Sequence, residues 1–480
     1  MDTAEHARDR AAWWFTCGLF FVLSLLTTVP WLHHIGGWLD EGATMSAASR
    51  SIADLVTLST HHDAVLGTYY ATVHSWLAVA GPSLTSARAL SAVCLAAATV
   101  AVLDCGRAVG GRVVGCVAGA QLLVIPGVSW AGLDARPTAL ATLLLAVQLR
   151  LLLRARGRVP GPWFYVVSVI AGWVQLTTIL QLVCTINRST VRRVRLWAST
   201  GLAVLCVIPV AWAGHRQSAQ IGWIDDGPVA QLTSVFVGRF ADAPKSTTFL
   251  TGPVGVTSAV LGVVYLALCI AAVWRLRSPE ARLLAGWAFA PAVLAVLAGP
   301  LTGGTVYLAR YFAASLPAAF LLVGLLARDV WSVARVRHAG CVVAAALVVA
   351  LCLPSLAASR VADGKWGEDS RQVAAEVGAS DAPVIWLGDS LSVAMTYPQL
   401  VGDTAQLPTR ASALRSDWLW GRRSTTGRAV QRARQLHRAV IVTPTRDSAA
   451  VRRALHRAGC AATHVQPHRR YTVLAVSCGR

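Results

Sequence analysis

Residues 11–41 read AAWWFTCGLFFVLSLLTTVPWLHHIGGWLDE. Residues 11–32 form one apolar run, and about 20 such residues are what a helix needs to cross the hydrocarbon of a bilayer. Arg8 and Arg10 precede the run and no small-residue cleavage site follows it, so it reads as an uncleaved first span rather than a removed leader. Eight residues beyond it stand two adjacent carboxylates, Asp40 and Glu41. At an outer membrane surface such a pair can act as a base and its electrostatic partner, because a carboxylate takes the proton of an attacking hydroxyl within hydrogen-bond reach. In a solvated loop the same pair would do no chemistry.

The rest of the chain repeats the first run. Of 480 residues 55% are hydrophobic and 14% charged, with a mean hydropathy of +0.55; soluble chains carry about 25% charge. A soluble enzyme, a disordered chain and a coiled coil are excluded as the main body. A charge in mid-bilayer costs roughly 2.5–3.5 kcal/mol, so charges mark loops. Arginines cluster at Arg107/Arg112, 150–158, 188–195, 275–282 and 328–337, while most acids of this part lie at 40–63, Asp134 and 225–242. This alternation predicts a cytoplasmic N-terminus and outward-facing acidic loops. Eleven spans follow: 12–32, 87–106, 113–131, 137–153, 162–174, 177–190, 196–213, 250–274, 283–300, 311–327 and 339–357. The pair within 162–190 is so short that it must be two short helices or a re-entrant turn.

The chain is therefore expected to be an α-helical polytopic protein of the cell membrane, with a transmembrane domain at 1–357 that includes an outer loop at 33–86. A small extracytoplasmic α/β domain is expected at 358–480, with strands at 384–387, 439–442 and 472–476 alternating with helices at 369–377, 427–437 and 448–458. Nine of the eleven cysteines lie in apolar segments and read as small hydrophobes. Cys460 and Cys478 lie in the polar tail and can form a disulfide if that side is oxidising. The net charge of +20 does not read as a nucleic-acid surface, because much of it is divided among short inner loops. The tail keeps 18 basic against 9 acidic residues, an excess that points to anionic lipid head groups or an acidic wall polymer.

Several further positions carry chemistry. In the outer loop, Tyr69, Tyr70 and Trp76 suit a helix lying at the interface. His61, His62 and Asp63 suggest a metal, but adjacent histidines point apart in regular structure and no third ligand stands at standard spacing. Asp134 and Arg136 lie at the outer end of the third span, before Pro137, which starts the next helix well; they can pair with each other or meet an anionic head group. Arg310 and Tyr311 open the tenth span, where arginine either snorkels or contacts phosphate. In the tail, Gly388-Asp389-Ser390-Leu391 resembles the nucleophile block of GDSL hydrolases, but the tail has neither an asparagine nor an Asp-x-x-His.

Trp38-Leu-Asp40-Glu41 followed by Tyr69-Tyr70-Ala-Thr-Val-His74-Ser-Trp76 resembles the first outer loop of GT-C glycosyltransferases, in the branch of protein O-mannosyltransferases and lipid A aminoarabinose transferases (family 39-like). Asp134-Ala-Arg136-Pro137 is similar to a Glu-Ala-Arg-Pro motif of the actinobacterial members, and Arg310-Tyr311 to an Arg-Tyr opening a late span. Departures are Asp134 for glutamate, Thr138 for tyrosine, and Arg88-Ala-Leu for Arg-Leu-Pro.

The resemblance implies a GT-C fold and a polyprenyl-phosphate sugar donor used at the outer leaflet, with Asp40 as base and inversion at the anomeric carbon. It implies Arg136 and Arg310 as fixed cations for the leaving phosphate, and Glu41 or Asp134 as groups that orient the acceptor or tune the base. His62, Tyr69, Tyr70, His74 and Tyr311 join the substrate-binding candidates. The acceptor would be a cell-envelope glycan, lipoglycan or protein, which the tail helps recognise from over the outer opening. Mannose ranks first and arabinofuranose second; no cofactor is expected, a divalent metal is not favoured, and membrane lipids but not nucleic acid are partners. The rival class is a lipid or solute transporter, but no internal repeat is visible and the candidate charges stand at outer helix ends.

Overall fold

The computed structural model describes residues 3–156, 158–185, 193–222, 224, 227–241, 252–302, 307–332, 335–366, 368–402, 406–421 and 424–479. The predicted arginines 188–192 and Asp225, Asp226 and Asp242 lie outside them. Two compact units emerge: Met1–Leu32 with Ala89–Ser359, and His33–Arg88 with Arg360–Arg480. The second break falls beside the boundary read from sequence. The loop after the first span, however, clusters with the tail and not with the helices that flank it.

The first unit is helical. Six helices among the described residues are long and apolar enough to cross a membrane: His6–Trp31, Leu84–Gly110, Val194–Arg216, Val254–Leu276, Pro279–Gly299 and His338–Ala358. The number rises to eight if two bent pairs each count as one span: Arg112–Val124 with Pro126–Leu133, bent 73°, and Ala309–Ser315 with Pro317–Trp331, bent 48°. The breaks fall at Pro126 and Pro317, which carry no N–H for a continuing helix. This makes it a multi-pass membrane protein, while the count of eleven is not confirmed. The remaining three segments are short: Thr138–Arg154 has 17 residues, Pro162–Val174 has 13, and Leu176–Thr185 is a 3-10 stretch of 10. At about 1.5 Å per α-helical residue and 2 Å per 3-10 residue, each of the last two covers roughly 20 Å, well under the ~30 Å of hydrocarbon.

Large apolar side chains on the outer helices are exposed, among them Leu202 and Leu205 on one and Val342, Leu347 and Leu353 on another. Lipid is the solvent that such surfaces fit. Inside, small residues let backbones touch: a Cβ on Gly106 would collide with the backbone of Gly115 on the next helix. Arg239, buried, donates to the carbonyls of Val235 and Ala288 at 2.9 Å and to the Ser315 hydroxyl at 3.1 Å.

The second unit holds a five-stranded sheet: β1 (Val384–Trp386), β2 (Gln406–Leu407), β3 (Arg438–Pro444), β4 (Cys460–Pro467) and β5 (Tyr471–Cys478), ordered β2-β1-β3-β5-β4. β1 runs parallel to β2 and β3, whereas β5 is antiparallel to both β3 and β4. The three predicted strands are β1, β3 and β5, and the three predicted helices are Ser370–Gly378, Thr426–Leu436 and Ser448–Arg457. Cys460 faces Cys478 across the β4–β5 ladder, and the two form a disulfide. One face of the sheet (Ile441, Leu474, Val476) packs under Ala429, Val430 and Ala433 of one helix and Val451 and Leu455 of the other.

The loop contributes three helices to this unit, Leu39–Ala48, Ile52–His61 and Gly67–Ala80. The last carries Tyr69, Tyr70 and Trp76 on one helix, as their stretch predicts. The first packs on Leu391–Thr396, close enough that a Cβ on Gly42 would meet Ser392 and Thr396 at 3.0 Å.

Candidate active site

The helix bearing Asp40 begins abruptly. Trp38 is extended, and Asp40 and Glu41 occupy the first helical turn, where negative charge suits the N-terminal dipole. Tail residues tie down the segment before it. The N–H of Gly36 donates to the Ala362 carbonyl at 2.7 Å, and that of Gly37 to the Tyr397 hydroxyl at 2.5 Å. The Ser370 hydroxyl donates to the Gly37 carbonyl. Neither glycine has room for a Cβ, since it would meet the Ala362 carbonyl oxygen or Thr396 at 2.7 Å.

Glu41 and Asp40 then diverge. Glu41 is fully buried: Arg88 grips it with Nε on Oε1 at 2.7 Å and Nη2 on Oε2 at 2.6 Å, and Lys365 Nζ reaches Oε1 at 2.6 Å. Arg88 also donates to the carbonyls of Ile35 and Gly36 at 2.7 and 2.9 Å. Burial alone would raise the Glu41 carboxyl, but Arg88 and Lys365 outweigh it and hold it well below the usual carboxylate range. With both oxygens in ion pairs, Glu41 acts as a joint between loop and tail.

Asp40 is half-buried, and a tail carboxyl, Glu368, lies close enough to feel its charge. Glu368 Oε2 accepts the Leu39 N–H at 2.9 Å, capping the helix one residue before Asp40. Arg470 donates to Glu368 at 2.9 Å and to Asp389 at 2.8 Å, so its pull is divided. Burial pushes the Glu368 carboxyl up to about 7; Asp40 and Asp389 add to the rise, and Arg470 and the Leu39 N–H oppose it.

The other loop candidates brace this unit. His74 Nδ1 must carry its proton, because it meets the Ala48 carbonyl at 2.9 Å and so joins two helices. Tyr70 donates to Asp63 at 2.8 Å, Tyr69 is buried against Tyr70, and His62 stands edge-on to Trp418 at 3.9 Å. Arg50, also buried, donates to the carbonyls of Leu414, Ser416 and Trp418. Ser390 is buried, donating to the Val442 carbonyl and accepting from the Leu387 N–H at 3.0 Å each, so its hydroxyl shapes a turn. Among the described residues no three His, Cys, Asp or Glu side chains gather as metal ligands.

The first unit holds the remaining candidates. Asp134 is buried after the 3-10 turn Trp130–Leu133, its carbonyl accepts the Arg136 N–H at 2.8 Å, and Thr138–Arg154 follows Pro137 as its spacing predicts. Arg136 is half-buried. Arg310 lies over the Tyr311 ring, 5.6 Å from its centroid. The Tyr311 carbonyl accepts from Gln175 and, at 3.1 Å, from Thr177, which fixes it to the break between the two short segments. The cavity of about 440 Å³ lined by Arg154, Arg156, Arg158 and Trp163 contains none of the predicted site residues. Arg88, Lys365, Glu368 and Arg470 were not singled out as site residues by sequence reasoning. The signals available were Arg88 in a motif position and Lys365 as one of only two lysines.

No protein-family model and no curated protein sequence matches the chain. Solved structures do. ArnT from Cupriavidus metallidurans in the apo state aligns with a TM-score of 0.59 at 12% identity, over 97% of this chain and 98% of that one. The same protein bound to undecaprenyl phosphate aligns at 0.54, with 12% identity over 97% of each chain. The archaeal oligosaccharyltransferase AglB from Archaeoglobus fulgidus, in complex with an inhibitory peptide and a dolichol-phosphate, aligns at 0.51 and 12% identity over 92% of this chain and 70% of that one. Both proteins are GT-C superfamily members, and the chain has the GT-C fold.

Two outcomes follow from the geometry. Arg88→Leu leaves the buried Glu41 carboxylate with Lys365 as its cation and lowers the unfolding free energy by about 3–5 kcal/mol. Adding Glu41→Leu together with Lys365→Met, so that no buried charge of the cluster is left alone, restores part of that loss, as measured by denaturant unfolding in detergent; an undiminished loss in the triple variant would contradict the pairing. Glu368 is raised on folding from 4.5 to about 7, so between those values the native state keeps a proton the unfolded chain has released. Its contribution is therefore present below pH 4.5 and lost as pH rises through 7. Glu368→Gln flattens the fall in stability across this window by on the order of 1–3 kcal/mol, and parallel wild-type and variant curves would refute the assignment.

Proposed function

We propose that the protein is an integral-membrane glycosyltransferase that moves a sugar from a polyprenyl-phosphate donor to a hydroxyl of a cell-envelope glycan, lipoglycan or protein. The observation that carries this reading is the placement of Asp40, a half-buried carboxylate in a helical first turn held from the tail by Lys365 and Glu368. The GT-C fold supports the donor class, since neighbours carry undecaprenyl phosphate or dolichol-phosphate. The Cys460–Cys478 disulfide supports an oxidising, extracytoplasmic side for the tail and hence for Asp40.

In one displacement, Asp40 takes the acceptor hydroxyl proton as the oxygen bonds to the anomeric carbon. The bond from that carbon to the phosphate oxygen breaks on the opposite face, with inversion. The polyprenyl phosphate leaves with an added negative charge, and Arg136 and Arg310 meet it as cations that need not reorganise. Glu41 keeps the Asp40 helix in place, and Asp134 orients the groups around Arg136. Phosphate is already an adequate leaving group, so no metal is required by this scheme. Mannose is the first choice of sugar and arabinofuranose the second, on the resemblance of the outer-loop motifs.

Membranes holding Asp40→Asn, given radiolabelled polyprenyl-phosphate mannose or arabinose and an envelope-glycan acceptor, should transfer sugar about 10²–10⁴-fold more slowly. Donor KM should stay within roughly threefold, as expected for a group acting in the transition state. Equal transfer by wild type and variant would remove Asp40 from the mechanism; substrate crossing vesicles without transfer would favour a transporter.

A further inference from the structure

The tail's positive charge is not spread evenly. Residues 358–423 carry seven basic and eight acidic side chains; residues 424–480 carry eleven basic and one acidic. Of the latter, Arg469 pairs with Asp363, and Arg470 with Asp389 and Glu368. Most of the others fall on two helices that pack side by side on one face of the sheet, Thr426–Leu436 and Ser448–Arg457. Each buries an apolar stripe and exposes arginine: Arg428, Arg432 and Arg434 on the first, Arg452, Arg453 and Arg457 on the second. Among the described residues no carboxylate pairs with any of the six; Arg432 alone has a side-chain partner, Gln435 at 2.9 Å.

Such a surface is unfavourable by itself. Arg428 with Arg432, and Arg453 with Arg457, stand four residues apart on one helix face, where like charges repel. Folding gains nothing from the arrangement, because the opposite stripes do the packing. A partner with repeated negative charge would relieve the repulsion, and arginine's planar fork suits phosphate and carboxylate alike. A bilayer fits less well. Helices that lie on membranes insert Trp, Phe or Leu, yet no large apolar side chain is exposed among the described residues after Val361.

We infer that this two-helix face binds a polyanionic chain, a polymer repeating phosphodiester or carboxylate groups. The apolar stripes of the two helices cover the Ile441–Leu474 face of the sheet, whereas the Asp40 helix packs on Leu391–Thr396. The surface is thus separate from the Asp40 segment, and its binding can be read without any transfer reaction.

The test uses the full-length protein in zwitterionic nanodiscs. The probes are inorganic polyphosphate, polygalacturonate, neutral dextran and phosphatidylglycerol vesicles. Wild type should bind at least one of the two charged polymers but not dextran, with affinity falling roughly tenfold or more as salt is raised from low to physiological. Replacing Arg428, Arg432, Arg453 and Arg457 by Ala should weaken that binding at least tenfold, without lowering the thermal midpoint, since repelling pairs are removed. Replacing Arg8, Arg10, Arg158 and Arg277 by Ala, an equal change in net charge, should weaken it less than threefold. Preference for polyphosphate or for polygalacturonate assigns the repeating group. Equal weakening by both variant sets, or binding to the vesicles and to neither polymer, would overturn the proposal.

Discussion

The buried carboxylate of Glu41 is the constraint on which the second unit turns. An ionised side chain removed from water is tolerated only if it is paired and hydrogen-bonded. Its partners come from two directions: Arg88 from the end of its own loop, and Lys365 from 324 residues away in the tail. Arg88 also donates to the Ile35 and Gly36 carbonyls. Loop and tail therefore fold as one body, and the first turn that carries Asp40 is fixed from several sides. Glu368 completes the hold through the Leu39 N–H. Of the two adjacent acids, Glu41 is buried between Arg88 and Lys365 whereas Asp40 stays half-buried.

Much of this was legible. Apolar runs between arginine clusters mark the membrane helices, since neither charge nor unpaired backbone is stable in hydrocarbon. The count of eleven spans is not confirmed where apolar content does not report length: two segments bend at Pro126 and Pro317, and 162–185 divides into two short pieces, as its length predicts. In the tail, β1, β3 and β5 are apolar and buried and were readable. β4 was not, because as an edge strand it exposes Thr463, His464 and Gln466 and shows no apolar pattern. The disulfide was readable as a possibility because both cysteines lie in the polar tail, outside the apolar runs that hold the other nine.

Individual site roles were harder to read than site positions. The motif residues His74, Tyr69 and Tyr70 pack the loop helices together, which their spacing alone does not reveal. Arg88 stood in a motif position whose partner lies 47 residues earlier, and such a pairing follows only from the folded path of the chain. Glu368 and Arg470 sit in segments with no signature at all. The arginine excess was visible as a total, but its confinement to two helix faces depends on which sides of those helices meet the sheet.

The proposed transfer is a single displacement at the anomeric carbon of a lipid-phosphate sugar, with Asp40 as base. Its most direct test is the anomeric configuration of the product, read by NMR after transfer from a polyprenyl-phosphate donor of defined configuration. A single displacement predicts a product inverted relative to the donor. A product of retained configuration would contradict it.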